Sequence, residues 1–88
     1  MMSYEITGRR LGALMNGRCP ECSGDRWQPG PQALGTAQNF ECAFCARRYN
    51  ITIIGRSVMF AQQIDQNGNW AEYRRKYPVG PLLRAIAN

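Results

Sequence analysis

The sequence predicts a small α+β domain in which an antiparallel sheet carries short terminal helices. Three observations lead to this fold class. The chain has 88 residues, which is the length of one domain with a limited core. After Cys45, the residues Tyr49, Ile51 and Ile53 recur at every second position, as in a half-buried strand. All four cysteines fall in two Cys-x-x-Cys pairs, each suited to a tight turn: Cys19 with Cys22, and Cys42 with Cys45.

The two cysteine pairs predict a metal site with four thiolate ligands: Cys19, Cys22, Cys42 and Cys45. The 19 residues between the pairs agree with the C-x2-C-x15-20-C-x2-C spacing of zinc sites. Two residues between paired cysteines let one turn place both sulfurs on the same side of the backbone, so that each turn supplies half of a tetrahedron. One structural Zn²⁺ is therefore the expected cofactor, and iron, which takes the same ligands, is the alternative.

Other cysteine chemistry is less consistent with the sequence. Two disulfides need an oxidising compartment, and residues 1–5 lack the apolar segment of a signal peptide. A thioredoxin-like motif needs one Cys-x-x-Cys pair at the start of a helix in a βαβ unit, whereas this chain has two pairs without that setting. No run of 18 or more apolar residues predicts a membrane span. We expect a reducing, cytoplasmic environment, with a viral origin left open.

Residues 1–17 form the N-terminal element of the predicted domain. Thr7 is placed to cap a helix that ends near Met15, with Asn16-Gly17 as its stop. Leu11 and Leu14 then lie on one face of the helix with Met15. A strand is the alternative for this segment, because three glycines weaken the helical pattern.

Residues 18–57 form the predicted metal module. Pro20 pre-sets the first cysteine turn, and Gly24 permits the left-handed backbone that closes such turns. Trp27 lies in a short strand, and Pro29-Gly30-Pro31 is expected to end regular structure there. Phe40 enters the second cysteine turn on another strand.

This module resembles the zinc-ribbon family over residues 17–56. The resemblance is carried by the order C-P-x-C, an aromatic residue, F-x-C-x-x-C and then R-R-Y-N-I. It implies two Cys-x-x-Cys knuckles at the tips of β-hairpins that grip one zinc ion, with a three-stranded antiparallel sheet. Ribbons often have glycine just after the last cysteine, where this chain has Ala46. Members include transcription factors, polymerase subunits, ribosomal proteins, topoisomerase tails and scaffolds, so the family implies a metal and a fold rather than one function.

Residues 58–88 are predicted to hold a third strand and a helical extension. Val58, Phe60 and Ile64 stand at even spacing, which favours a strand, with a helix capped by Ser57 as the alternative. A second helix is expected from Trp70 to about Lys76. It would begin at a capping box of Asn69 and Glu72, present a stripe of Trp70, Tyr73 and Tyr77, and end before Pro78. A last helix begins at Pro81 and buries Leu82, Leu83, Ala85 and Ile86.

The charge of the chain suggests anionic partners. Ten arginines and one lysine outweigh six acidic residues, for a net charge of +5. Four thiolates and one Zn²⁺ would lower that charge to about +3. Arginine suits bidentate contacts to phosphate, although compositional bias towards arginine would give the same count. The predicted nucleic-acid contacts are Arg47, Arg48, Arg56, Arg74, Arg75 and Lys76. Structural roles are the alternative, since arginines also offset metal–thiolate charge and favour helix C-termini.

Catalysis is not expected. The chain has no histidine, which removes the usual general base, and four cysteine ligands leave no open position for a metal-bound water. Glu21, Asp25 and Glu41 are interpreted as solvated loop charges, and Trp27 and Trp70 as core residues.

The predicted function is thus a non-enzymatic structural-zinc module that contacts nucleic acid or a nucleic-acid-handling complex. The alternative is a small docking subunit of a cellular assembly or viral particle, with zinc as the staple of the fold. An iron-containing electron carrier is a third hypothesis. Neither a membrane nor a small-molecule substrate is an expected partner, and the oligomeric state is left open.

Overall fold

The computed structural model describes residues 3–33, 35–65 and 68–82. Within these residues, five strands form one antiparallel sheet in the order β1-β5-β4-β3-β2, with two helices named α1 and α2. The elements are β1 (Ser3–Glu5), α1 (Gly8–Met15), β2 (Trp27–Gln32), β3 (Ala37–Cys42), β4 (Arg48–Ile54), β5 (Ser57–Ile64) and α2 (Ala71–Lys76). The expected three-stranded sheet is wrong, because β1 pairs with β5 and β2 pairs with β3 along the flanks of the sheet.

The β2 strand runs through Pro29-Gly30-Pro31, where the sequence predicted a break. The edge position explains this difference. Trp27 exchanges both of its backbone hydrogen bonds with Gly80, outside the sheet, at 2.8 and 3.0 Å. Because backbone groups alternate in direction along a strand, Pro29 also turns its nitrogen away from β3, and the N–H that proline lacks is not needed in the ladder. The pairing with β3 then shifts between Pro29 and Gln32.

The predicted N-terminal helix is confirmed as α1, and it follows a strand, so both structures proposed for residues 1–17 occur. Thr7 has the extended backbone of an N-cap, but its side chain makes no capping bond. Asn16 closes the helix, with its backbone N–H and its Nδ2 both donating to the carbonyl of Gly12 at 3.2 and 3.0 Å.

The strand predicted after the Gly55-Arg56 turn is confirmed as β5. The predicted placement of Val58 and Phe60 on one face of that strand is wrong. Thr52 pairs with Phe60 and Ile53 pairs with Val58, so Met59 is the extra residue of a β-bulge. The bulge turns Val58 and Phe60 to opposite faces of the sheet. Val58 is 3% exposed, whereas Phe60 is 63% exposed.

The two helices cover opposite faces of the sheet. Leu14 of α1 joins the core with Trp27 and Tyr49, among other buried residues. Gln28 follows Trp27 along β2, so its side chain points to the other face of the sheet. There its amide nitrogen, Nε2, donates to the carbonyls of Tyr73 and Tyr77, each at 3.1 Å. Those carbonyls belong to α2 and to its C-cap, so α2 lies on the face opposite α1.

The α2 helix is anchored by Trp70, which is buried, as is Trp27. The core placement of both tryptophans is therefore confirmed. The Trp70 ring lies over Gly30, where an added Cβ would be 2.5 Å from the nearest ring carbon. Asn69 accepts a hydrogen bond from the N–H of Ala71, while Trp70 is the N-cap residue, one position later than predicted.

The helix expected from Pro81 lies largely outside the described residues, which end at residue 82. Leu82 is described and is buried, as expected. Among the described helices, none is long and apolar enough to cross a membrane.

Candidate metal centre

The four cysteine sulfurs converge at one end of the sheet. All four Sγ atoms lie within 4.8 Å of one another, and all four cysteines are free thiols. The Sγ atoms of Cys19 and Cys45 are 3.6 Å apart, and those of Cys22 and Cys42 are 3.5 Å apart. A tetrahedral ion with metal–sulfur bonds of about 2.3 Å requires sulfurs about 3.8 Å apart. The donor set and its spacing therefore fit a four-coordinate metal ion held by these cysteines.

Two backbone turns of the same shape present these sulfurs, and we call them the first knuckle (residues 19–24) and the second knuckle (residues 42–47). In the first, the N–H of Cys19 donates to the carbonyl of Gly24, and the N–H of Ser23 donates to the carbonyl of Cys19. The second repeats both bonds, from Cys42 to Arg47 and from Ala46 to Cys42. The left-handed residues are Ser23 and Ala46, with φ of 64° and 66°. The expectation that Gly24 takes this conformation is wrong.

Gly24 has a different role, which is to let the knuckles approach each other. A Cβ at Gly24 would collide with Cδ2 of Phe44 and would lie 3.2 Å from the Sγ of Cys22. The N–H of Ala43 also donates to the carbonyl of Arg26 at 3.0 Å, which joins the end of the first knuckle to the start of the second. The two halves of the ligand set are thus fixed by contacts of the chain itself.

The environment of the sulfurs separates an inner pair from an outer pair. Cys19 and Cys42 are each 1% exposed, whereas Cys22 is exposed and Cys45 is intermediate. Burial raises the pKa of Cys42 to about 12, although the N–H groups of Cys45 and Phe44 act against the shift. Burial also acts to raise the pKa of Cys45, but hydrogen bonds from the backbone and guanidinium of Arg47 outweigh it and lower that pKa to about 7.

Tyr49 closes the inner side of the centre. Its hydroxyl lies 3.6 Å from the Sγ of Cys19, and its side chain is fully buried. Burial, together with the neighbouring Cys19, raises the pKa of Tyr49, so the phenol keeps its proton. The alternating pattern predicts Tyr49 on a strand but does not predict this contact, because the tertiary fold sets the pairing of Tyr49 with a cysteine 30 positions earlier.

Glu41 is a buried bridge between two of the predicted basic residues, so its interpretation as a solvated loop charge is wrong. Arg48 donates through Nε to Oε1 of Glu41 at 2.9 Å, and Arg74 donates through Nη2 to Oε2 at 2.7 Å. The Glu41 side chain is 9% exposed. The guanidinium of Arg48 also stacks on the ring of Trp70, 4.1 Å from its centroid. This ion-pair bridge ties β3 and β4 to α2.

The other predicted basic residues are spread over three separate places in the fold. Arg47 contacts Cys45, whereas Arg56 lies in the turn at the far end of β4, about 20 Å along the strand at its usual rise. Arg75 and Lys76 are exposed in the last turn of α2, and Lys76 lies 5.5 Å from the ring centroid of Tyr77. An open cleft of about 640 Å³ brings together Arg47, Arg48 and Arg74, with Glu41 and Tyr4 also in its wall.

Arg10 links three parts of the fold through its guanidinium. It lies in α1 and donates to Oε1 of Glu21 and to the amide oxygen of Gln63, each at 2.8 Å. The helix is thereby joined to the first knuckle and to β5. No local pattern predicts this bond, since Arg10 and Gln63 are 53 positions apart.

The four-sulfur cluster, its hydrogen-bond donors and the neighbouring ion-pair bridge are the features of this chain on which a function can be argued. Comparison with protein-family models, with curated proteins and with solved structures finds no match to this chain.

Proposed function

We propose that this protein is a non-enzymatic module whose fold is held by one structural Zn²⁺ ion, bound by Cys19, Cys22, Cys42 and Cys45. The observation that carries the proposal is the convergence of four sulfurs within 4.8 Å, at spacings suited to a tetrahedral ion. A full set of cysteine ligands leaves no coordination position for a substrate or an activated water, which favours a structural role. The resemblance of residues 17–56 to zinc ribbons supports the same metal.

Native mass spectrometry of protein purified without added metal tests this proposal. We expect one zinc ion for each chain, and we expect its loss after replacement of any one cysteine by serine. Ser23→Ala is a matched control, since it changes a hydroxyl in the same knuckle without removing a sulfur. A colourless, metal-free protein that folds normally would contradict the proposal, and a red protein that contains iron would favour the electron carrier instead.

We further propose that the module binds nucleic acid or a nucleic-acid-handling complex. The chain has a net charge of +5, and a charge of about +3 remains once the metal centre is formed. This positive charge supports an anionic partner. The residues best placed for this contact are Arg56 and Arg75, whose exposed side chains have no ion pair within the described part of the chain, together with Lys76. Arg48 and Arg74 are already paired with Glu41, so we assign them first to the stability of the domain.

Binding to fluorescent single-stranded and duplex oligonucleotides, titrated over a range of salt concentrations, tests this second proposal. For a variant carrying both R75Q and K76Q, we expect weaker binding and a smaller salt dependence, by about one unit of slope for each lost phosphate contact. Glu72→Gln is the matched control on the same helix. This substitution removes a negative charge and should strengthen binding to the oligonucleotide. If no oligonucleotide binds at low ionic strength, the nucleic-acid proposal fails.

A docking subunit is the second candidate, and an exposed apolar pair on the sheet favours it. Phe60 and Ile54 are 63% and 54% exposed, and the strand register places both on the α2 side of the β4–β5 hairpin. Large side chains exposed together mark interaction surfaces in many soluble proteins. Sedimentation of the full chain tests this candidate: a multi-chain species that dissociates on Phe60→Ser but not on Met15→Ser would support it, and a monomer unaffected by either change would not.

A further inference from the structure

We propose that Tyr49 is a positioning residue of the metal centre. Its hydroxyl donates an O–H···S hydrogen bond to the Cys19 thiolate, and this bond raises the affinity for the metal and alters the electronic properties of the bound metal. This inference rests on the proposed metal-binding function and adds to it a residue that is not a ligand. The carrying observation is the distance of 3.6 Å between the Tyr49 oxygen and the Cys19 Sγ, both in the buried interior.

The direction of this hydrogen bond follows from the chemistry of the two groups. A thiol and a phenol could each donate to the other. A cysteine that ligates a metal is a thiolate, which has no proton and can only accept. Formation of the metal centre therefore fixes Tyr49 as the donor, and a hydrogen bond to a charged acceptor is stronger than one between neutral groups.

The Tyr49 ring is held in place by its neighbours, which makes the contact a fixed part of the site. Tyr49 lies directly opposite Phe40 in the register of β3 and β4. The ring of Trp27 meets it edge-on, with 5.8 Å between the centroids and an interplanar angle of 74°. A ring packed on these sides cannot turn its hydroxyl away from Cys19 without opening the core.

The Tyr49 donor also lies at one of the two buried sulfurs. Cys19 is 1% exposed, so water cannot offset the negative charge that a metal–thiolate centre places there. On the outer side, Arg47 supplies that compensation to Cys45 through its guanidinium. Tyr49 supplies it on the inner side without bringing a full charge into the core. Groups that orient and hydrogen-bond metal ligands contribute to affinity and set the electronic properties of the metal.

Tyr49→Phe removes one oxygen atom and tests the role directly. We expect the affinity for Zn²⁺, measured by competition with a chromophoric chelator, to fall by about 10- to 100-fold. In the cobalt-loaded protein, the sulfur-to-metal charge-transfer band should move to lower energy, because the thiolate becomes a stronger electron donor. In the iron-loaded protein, the reduction potential should become more negative.

Two control variants separate this effect from general changes in the core. Ile51→Val trims a buried neighbour on the same strand and should lower stability without moving the charge-transfer band. Tyr73→Phe removes a hydroxyl from α2, away from the cysteines, and should change neither property. Tyr49→Phe with unaltered zinc affinity, an unmoved band and an unchanged potential would overturn the proposal. So would equal effects of Ile51→Val on the spectrum.

A measurement on the unaltered protein does not depend on the folding of any variant. With ¹¹³Cd in the site, a scalar coupling between the metal and the Tyr49 hydroxyl proton would show the O–H···S bond directly. Absence of that coupling, with couplings to backbone N–H protons visible, would contradict the role of Tyr49 while leaving the metal site in place. Failure of the unaltered protein to take up zinc, cobalt or cadmium would instead overturn the proposed metal-binding function.

Discussion

Ser23 and Ala46 occupy the same place in the two knuckles, four residues after the first cysteine of each, and both have a left-handed backbone. Their φ angles are 64° and 66°, and the N–H of each donates to the carbonyl of that first cysteine at 2.9 Å. Neither residue is glycine, although a left-handed backbone is strained for other L-residues. The fold therefore accepts strain at two matched positions beside the four-cysteine cluster, which makes those positions sensitive to substitution.

Ala46→Gly should stabilise the protein. Relief of the backbone strain of a left-handed alanine should raise the free energy of unfolding by roughly 1–2 kcal/mol. The greater freedom of glycine in the unfolded chain offsets roughly 0.5–1 kcal/mol of this gain. We therefore expect a net increase in the free energy of unfolding of about 0.5–1 kcal/mol. Thermal unfolding with zinc present is the measurement. Ala43→Gly is the control, because Ala43 has no positive φ and should only lose stability. A lower melting temperature for Ala46→Gly would contradict the strain argument.

Gly30→Ala should destabilise the contact between β2 and α2. The new methyl group would lie 2.5–2.9 Å from three carbons of the Trp70 ring, so the ring would have to move, at a cost of about 1–3 kcal/mol. Tryptophan fluorescence should shift as Trp70 becomes more exposed. Gly12→Ala in α1 is the matched control, with nothing within 4 Å of the new carbon, and it should stabilise the helix by about 1 kcal/mol. Equal effects of the two changes would show that the Trp70 contact is unimportant.

Glu41→Gln should destabilise the protein by about 1.5–3 kcal/mol, because hydrogen bonds to a charged group are lost at a site where the Glu41 side chain is 9% exposed. Arg48→Gln should cost a comparable amount, since the Arg48 side chain is 13% exposed. Arg74→Gln should cost no more than about 1 kcal/mol, because the Arg74 side chain is 46% exposed and water screens its ion pair. Urea unfolding of the three variants gives this order, and a larger loss for Arg74→Gln than for Arg48→Gln would contradict it.

Removal of the metal should unfold the knuckles. Chelation, or replacement of any of Cys19, Cys22, Cys42 and Cys45 by serine, leaves charged or unsatisfied ligands beside the core, and the binding energy of a structural metal is folding energy. Circular dichroism and thermal unfolding before and after chelation measure the effect, and added zinc should reverse it. Unchanged thermal stability after chelation would show that the contacts between the knuckles suffice without a metal.

The four-cysteine cluster and most elements could be predicted because their signals are local. Cysteine spacing identifies the cluster without knowledge of the sheet, and the stop at Asn16-Gly17 marks the end of α1. The aromatic spacing that begins at Trp70 likewise predicts α2. Trp70 is buried, whereas Tyr77, the last residue of the predicted stripe, is exposed and is the C-cap of the helix.

What could not be predicted depends on partners distant in sequence. A strand of three residues, β1, carries too little pattern to indicate that it pairs with β5. The bulge at Met59 reverses the face of Phe60, and no turn residue marks it. Glu41 resembles a loop charge until the fold brings Arg74 to it from 33 positions away. The contact of Tyr49 with Cys19 has the same origin.

The prolines of β2 have a consequence for how this sheet meets other chains. An open sheet edge offers a row of N–H and C=O groups to any strand that approaches it, which is a common route to aggregation. Along β2, the outward groups of Trp27 are taken up by Gly80, and Pro29 has no N–H to offer. The edge is thereby capped against the addition of a foreign strand, and the short β1 at the other side gives such a strand little length on which to grow.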